Sequence, residues 1–475
     1  MNQRMYLTYF KIQFKIKKAW IMDYKCFHYP IDKLIMKQRK GGLMKILFVE
    51  KKLRMDKLGI CYLSAVLKKT GHEVDLVQDE EENADEYLAA NPVDFVMYSV
   101  TSDEADWFAK RNRELKAKHH FISVVGGPDP TFAPSRWAED EAIDFIVQGP
   151  GESVISSIVN GLAPRLSRGE LLGRFEYSSP DRSIIYKYDE LGKARMKRFI
   201  ACRYCLFSCT HCFNHAFKKM YLDQKSFFTY RPSPEIMIQE VIAVKNKYGL
   251  ELAYFNDDDL ANNPDWLEKF CELLLANDIP SFCGSIRANS VDEKTVIMMA
   301  RSGCKLLNVS IESANAETQK LLRRGGVTND DVYKAVRWCE EAGIKVRTQN
   351  MIGLPVEDPL VDALETFEFN KKCHPLESVV TIYQPLPGTE LWSYCIKKGL
   401  IDGNAQPTNF QDKTVLKIKD TEKINRLARY WYWAIKKEWS TEFLRERLNN
   451  PIPDEVLKEM TQTRWATSKK ELYGL

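Results

Sequence analysis

No run of apolar residues in this sequence reaches the length of a bilayer-spanning helix, and no basic start followed by a cleavable apolar segment opens it. A cytoplasmic protein with no transmembrane segment is expected. Cysteine is too sparse, twelve in 475 residues, for a disulfide scaffold, which points to a reducing compartment. Neither sign of charge is in excess: the formal net charge of +4 gives no argument for a nucleic-acid partner, and none is expected. Low-complexity tracts and internal repeats are absent beyond a β–α rhythm. The nucleotide fingerprint GxGxxG is also missing, which counts against a plain dinucleotide domain.

What is present is length enough for two or more domains. Residues 1–43 form a basic, aromatic N-terminal extension ahead of the first clean strand, KILFVE. It reads either as a membrane- or partner-facing segment or, the expected case, as an accessory piece or upstream start that adds little. Residues 44–165 alternate short apolar runs with amphipathic helices, the pattern of a doubly wound, Rossmann-like α/β sheet. Ligands of such sheets bind beyond the carboxyl ends of the strands. Three loops fall there: Ser99 and Thr101 after DFVMY, Gly126 and Gly127 leading into Pro128-Asp129-Pro130-Thr131, and Gly149-Pro150-Gly151-Glu152. Their glycines would let a large ligand approach the backbone, although glycine turns are also ordinary loop chemistry.

Residues 166–198 are polar and irregular and suit a crossing linker. From 199 to 400 about six further βα units follow in series, which predicts a closed or partly open parallel barrel. Residues 401–475 change to charged, aromatic helices such as RLARYWYWAIKKEW, expected to pack against the barrel rather than to form a substrate lid.

Chemistry concentrates in CLFSCTHC. Cys205, Cys209 and Cys212 place three thiols on one loop, with Cys202 three residues ahead, while the other cysteines are scattered singly in apolar patterns. A structural zinc site wants four ligands, and Cys202, His211 or His215 could complete one. A four-iron cluster held by three thiolates instead leaves one iron open to a small molecule. Spacing alone leaves both open.

CLFSCTHCFN resembles the Cx3Cx2C signature of radical S-adenosylmethionine enzymes. The order of FNDDDLANNPDW, IRANSVDEKTVIMMARSGC, NVSIES, QNMIGLP and YQPLPGTELW is similar to that of their partial (β/α)6 barrel. The resemblance implies that Cys205, Cys209 and Cys212 bind a [4Fe–4S] cluster whose open iron takes S-adenosylmethionine. Phe213 would shield the adenine, the backbone around Gly353 would pass it, and Asp257, Arg287, Ser310 and Glu312 would meet polar parts of that cofactor. Asp258 and Asp259 read alternatively as helix-capping acids.

In the first half, LGICYLSAVLKKTGHEVDLVQ, VVGGPDPTF and IVQGPGE resemble the cobalamin-binding domain fused ahead of such barrels. The implied cobalamin contacts are Ser99, Thr101, Gly126, Gly127, Asp129, Gly149, Gly151 and Glu152. Asp129 stands where many relatives have histidine, which weakens its case. No DxHxxG loop is present, so a cobalt without a histidine below it is implied.

The activity implied is a B12-dependent radical methyltransferase: a 5′-deoxyadenosyl radical takes hydrogen from an unactivated carbon and methylcobalamin methylates it. Cyclisation or rearrangement without methyl transfer, and a non-catalytic cobalamin- or metal-responsive binding protein, are the alternatives. The implied partners are an external one-electron donor such as flavodoxin or ferredoxin, and a small-molecule, lipid or protein side-chain substrate. Cys202 is either a neighbour or an off-state cluster ligand.

Overall fold

The computed structural model describes residues 42–171, 173, 178–402, 410, 413–453, 455, 456, 458 and 471–473. The basic extension, apart from residues 42 and 43, lies outside the described residues.

Two six-stranded sheets carry the chain. The first contains β1 (Lys45–Glu50), β2 (Glu73–Gln78), β3 (Phe95–Ser99), β4 (Ile122–Gly126), β5 (Phe145–Gln148) and β6 (Leu166–Arg168), all parallel in the order β2-β1-β3-β4-β5-β6. These strands are short apolar runs because helices cover both faces of the sheet. Phe108 and Leu115 of the helix Ala105–Lys116, for example, pack with Leu47, Val49, Val96 and Tyr98. The order reverses between β1 and β3, and at such a switch the loops beyond the strand ends part to leave a crevice.

The second sheet contains β7 (Met196–Phe199), β8 (Leu252–Phe255), β9 (Phe282–Ile286), β10 (Cys304–Glu312), β11 (Lys345–Ile352) and β12 (Glu377–Ile382), parallel and in sequential order. β7 and β12 are its two edges, so it is a partial (β/α)6 barrel rather than a closed one. Its helices start where the sequence provides caps. Ser233 Oγ accepts from the Ile236 amide, Asn263 from Trp266, and Thr328 forms a reciprocal box with Asp331.

The stretch expected to be an irregular linker is more structured than its polarity suggests. It holds β6, two short helices (Ser183–Tyr186 and Asp189–Gly192) and most of β7. Its polar residues are buried in a network: Arg182 donates to Glu240 (2.6 Å) and to the Tyr186 hydroxyl (3.0 Å), which donates to Asp56 (3.0 Å). Asp56 also accepts from the Arg198 amide at 2.7 Å, so the segment is bonded to both sheets. Buried polar groups paired with one another specify a geometry that composition alone presents as a linker.

The C-terminal region is helical, as expected. Thr421–Lys436 lays Leu427 and Trp431 against Phe367 and Ile382, and the Trp431 indole donates to Ser378 Oγ of β12 at 2.8 Å. It is a packing element on the edge of the barrel.

Candidate cluster and cofactor site

The cysteines lie on the loop between β7 and the helix Phe213–Met220. Asp257, just beyond β8 and 2 % exposed, holds the start of that loop: its two oxygens accept the amides of Ala201 (2.9 Å) and Cys202 (2.7 Å). Burial pushes its carboxyl up to about 6, with the two amides opposing. Thr210 fixes the other end. Its amide donates to Leu322 O (3.0 Å), its hydroxyl to Leu321 O (2.8 Å), and its carbonyl accepts from Leu391 N (2.9 Å).

Cys205, Cys209 and Cys212 are partly exposed, whereas Cys202 is buried and donates its thiol to Tyr204 O at 3.2 Å. Among the described residues no three histidine, cysteine or acidic side chains converge where one metal ion would sit. A [4Fe–4S] cluster suits three thiols carried on one loop, because each of three thiolates binds a different iron. Nitrogen groups already surround the sulfurs. Asn214 Nδ2 lies 3.6 Å from Cys212 Sγ and Arg287 Nη1 lies 4.0 Å from Cys209 Sγ, while the Lys218 ammonium feels all three thiols. Such groups offset the negative charge of a thiolate-bound cluster. Burial pushes the free thiols up, Cys205 to about 11 and Cys212 to about 12. Burial pushes the His211 imidazole below its ordinary value, and His215 stands 3.2 Å from Glu390.

Beyond the other strand ends, Arg287 lies over the Phe207 ring at 3.5 Å and donates to Arg324 O. Asp258 accepts from Asn214 at 2.9 Å, and Asp259 from Ser290 Oγ at 2.6 Å. Neither acid caps a helix, since Asn263 takes that place. Ser310 Oγ donates to Gln349 at 3.0 Å. Glu312 ends β10 past a bulge, with φ of +62°. A non-glycine residue held left-handed beside a bulge marks a strand end shaped for a task. Its charge acts on the buried Arg324 and on His211. Gly353, also left-handed at φ +69°, has Ile424 Cγ2 only 3.1 Å from where a Cβ would stand. That side of Gly353 is occupied by the C-terminal helix. Phe213 is 44 % exposed.

The expected cobalamin loops lie together along the carboxyl edge of the first sheet, and several turn out to be committed to the protein itself. A Cβ on Gly127 would come within 2.8 Å of the Val100 amide, so the glycine serves the packing of two loops. Asp129 is buried and accepts from the Trp137 indole at 2.7 Å. Thr131 Oγ1 receives the Gly149 amide at 3.0 Å, and a Cβ on Gly149 would land inside the Tyr221 hydroxyl. Glu152 forms an ion pair with Arg203 of the cysteine loop. Phe132, from the same edge, meets Phe213 with ring centroids 5.6 Å apart. The first sheet's carboxyl edge therefore abuts the cysteine loop and its helix, while Ser99, Thr101, Gly126 and Gly151 stay within the first sheet's own loops. Sequence reasoning missed Arg203, Tyr221, Phe132, Asn214, Lys218 and Arg324. Only Asn214 and Lys218 carried a signal, by following the last cysteine on one helix.

The chain matches the B12 binding domain over residues 44–159 and the Radical SAM superfamily over residues 199–369. It is 25 % identical over 412 residues to an uncharacterized methyltransferase of Pyrococcus horikoshii, covering 79 % of this chain and 86 % of that one. To cytidylyl-2-hydroxyethylphosphonate methyltransferase of Streptomyces wedmorensis it is 20 % identical over 432 residues, 73 % of this chain and 78 % of that one. It shares its fold with the cobalamin-dependent S-adenosylmethionine radical enzyme OxsB, solved with aqua-cobalamin and S-adenosylmethionine bound. The TM-score is 0.66 at 14 % identity, over 91 % of this chain and 74 % of that one. With a cobalamin-type sheet whose carboxyl edge meets a three-cysteine barrel loop, the chain is a cobalamin-binding radical S-adenosylmethionine enzyme.

Proposed function

We propose that the protein is a cobalamin-dependent radical methyltransferase acting on an unactivated carbon. The observation that carries this reading is the junction at Phe132–Phe213 and Glu152–Arg203, which sets the edge of the first sheet against the cysteine loop. When bound, the cluster with S-adenosylmethionine supplies a carbon-centred radical, and cobalamin supplies the methyl group. The chain's part is to hold and orient. Cys205, Cys209 and Cys212 would ligate the cluster, with Asn214, Lys218 and Arg287 supporting it. Glu312, Ser310, Phe213 and the backbone of Gly353 are assigned to S-adenosylmethionine. Asp257 is assigned to setting the cysteine loop, because both its oxygens already accept amides.

Ser99, Thr101, Gly126, Gly127, Gly149 and Gly151 are assigned to the cobalamin edge, and Asp129 to supporting it through Trp137. We take residues 44–165 as the cobalamin domain, 199–400 as the barrel and 401–475 as the helical region, in a cytoplasmic enzyme served by a one-electron donor such as flavodoxin or ferredoxin. The substrate is a small molecule, a lipid or a protein side chain.

Protein reconstituted anaerobically with iron and sulfide, then given dithionite and S-adenosylmethionine, is expected to release 5′-deoxyadenosine. C205A, C209A and C212A are each expected to abolish that release. With S-adenosylmethionine deuterated in its methyl group and hydroxocobalamin added, the label is expected on the corrinoid by mass spectrometry. Release of 5′-deoxyadenosine without labelled corrinoid would reject methyl transfer while leaving radical chemistry in place.

A further inference from the structure

Arg203 belongs to the cysteine loop yet reaches into the first sheet. Its guanidinium is paired through Nη1 with Glu152, at the carboxyl end of β5, and lies 4.0 Å above the Tyr62 ring of the helix Leu58–Lys69. Nη2 is buried without a hydrogen-bond partner. An ion pair serving only to join two domains would be complete with a lysine, whose single ammonium satisfies one carboxylate. Arginine brings a planar fork, and here the second arm of the fork is desolvated with nothing to receive it. A buried, unmatched donor on a charged group is unfavourable, so a group that completes it on binding is stabilised in proportion.

The position of that donor says what kind of group. It stands at the carboxyl edge of a doubly wound sheet, where ligands of such sheets lie. Its charge is already neutralised by Glu152. A neutral acceptor suits it better than a second anion, which Glu152 would repel. The rim of a corrin ring is lined with carboxamides, whose oxygens are neutral acceptors.

Building on the cobalamin reading above, we propose that Arg203 is a cobalamin-positioning residue supplied by the cluster loop, its Nη2 donating to a corrin carboxamide oxygen while Glu152 holds the guanidinium in place. One side chain then links cobalamin occupancy to the loop that carries the cysteines. Neither its distance along the chain from the cobalamin motifs nor its neighbours in sequence suggests this. It depends on the juxtaposition of the loop after β7 with the loop after β5.

The test is a titration of the cluster-loaded, full-length protein with hydroxocobalamin, followed by absorbance. Wild type, Arg203→Lys and Glu152→Gln are compared. R203K is expected to bind roughly tenfold more weakly or worse, with its cluster content and electron paramagnetic resonance signal unchanged. E152Q keeps the donor and leaves an amide oxygen to hold the guanidinium, so it is expected to weaken binding clearly less than R203K does. Equal affinity in R203K and wild type overturns the proposal, and so does equal weakening in R203K and E152Q, which would make the pair a strut only. Absence of binding in wild type overturns the cobalamin reading itself and is recognisable as such. If R203K does not fold, a structure of the wild type with hydroxocobalamin decides. Nη2 is expected about 3 Å from a carboxamide oxygen, and a guanidinium bonded only to Glu152 overturns the proposal.

Discussion

Glu50 ends β1 at 1 % exposure, with Lys57 3.1 Å from one carboxylate oxygen and no partner on the other. Burial outweighs the lysine and pushes its carboxyl up to about 7. A carboxyl raised on folding makes the native state bind the proton more tightly than the unfolded chain does. Stability from this group is therefore full below the unfolded value near 4.5 and falls as pH rises through about 7. Urea denaturation at about pH 5 and pH 8 is expected to show wild type losing up to roughly 2–3 kcal/mol relative to Glu50→Gln over that interval. Parallel pH profiles for the two proteins would reject the argument.

Gly149 gives a second test at this scale. With φ of +70° and the Tyr221 hydroxyl where a Cβ would go, Gly149→Ala is expected to destabilise by about 2–4 kcal/mol in thermal unfolding. Adding Tyr221→Phe removes the colliding hydroxyl, so the double variant is expected to be more stable than G149A alone, a non-additivity that independent sites would not show.

Among the elements, the C-terminal helix Thr421–Lys436 shows how an aromatic pattern is resolved by packing. Its tryptophans and tyrosines suit a lid or a wall equally well in sequence, and the burial of Tyr430 and Trp431 against β12 decides for the wall. Trp431→Phe removes the indole donor to Ser378 and is expected to lower stability by about 1–3 kcal/mol. Release of 5′-deoxyadenosine per cluster at low temperature is expected to remain near wild type. Loss of that release in a folded W431F protein would show that the helix reaches the reacting centre.

For the whole molecule, the meeting of the two sheets is the feature on which function turns. Phe132 touches both Phe213 and Phe217 across that junction. Phe132→Ala is expected to increase amide hydrogen exchange in residues 128–132 and 213–220 by local opening, while the barrel strands β8 to β11 stay protected. Unchanged exchange in the helix after the cysteines would show that its order owes nothing to the first sheet.

The sequence by itself determined what depends on neighbours along the chain. Ten of the twelve strands among the described residues, all but β6 and β7, announce themselves as short apolar or alternating runs, helix starts carry local caps at Ser233, Asn263 and Thr328, and the cysteine triad is contiguous enough to be read as one ligand set. The tertiary structure decided what depends on partners far away in sequence. Asp257 reads as a cofactor contact by resemblance, and in space it is the acceptor for two loop amides 55 and 56 residues earlier. Glu152 reads as a ligand contact, and Arg203, 51 residues on, claims it. The strand and cap signals are local because backbone hydrogen bonding and apolar periodicity are local. A carboxylate or guanidinium takes its role from whichever oppositely polar group the fold delivers to it, and no spacing in the chain encodes that meeting.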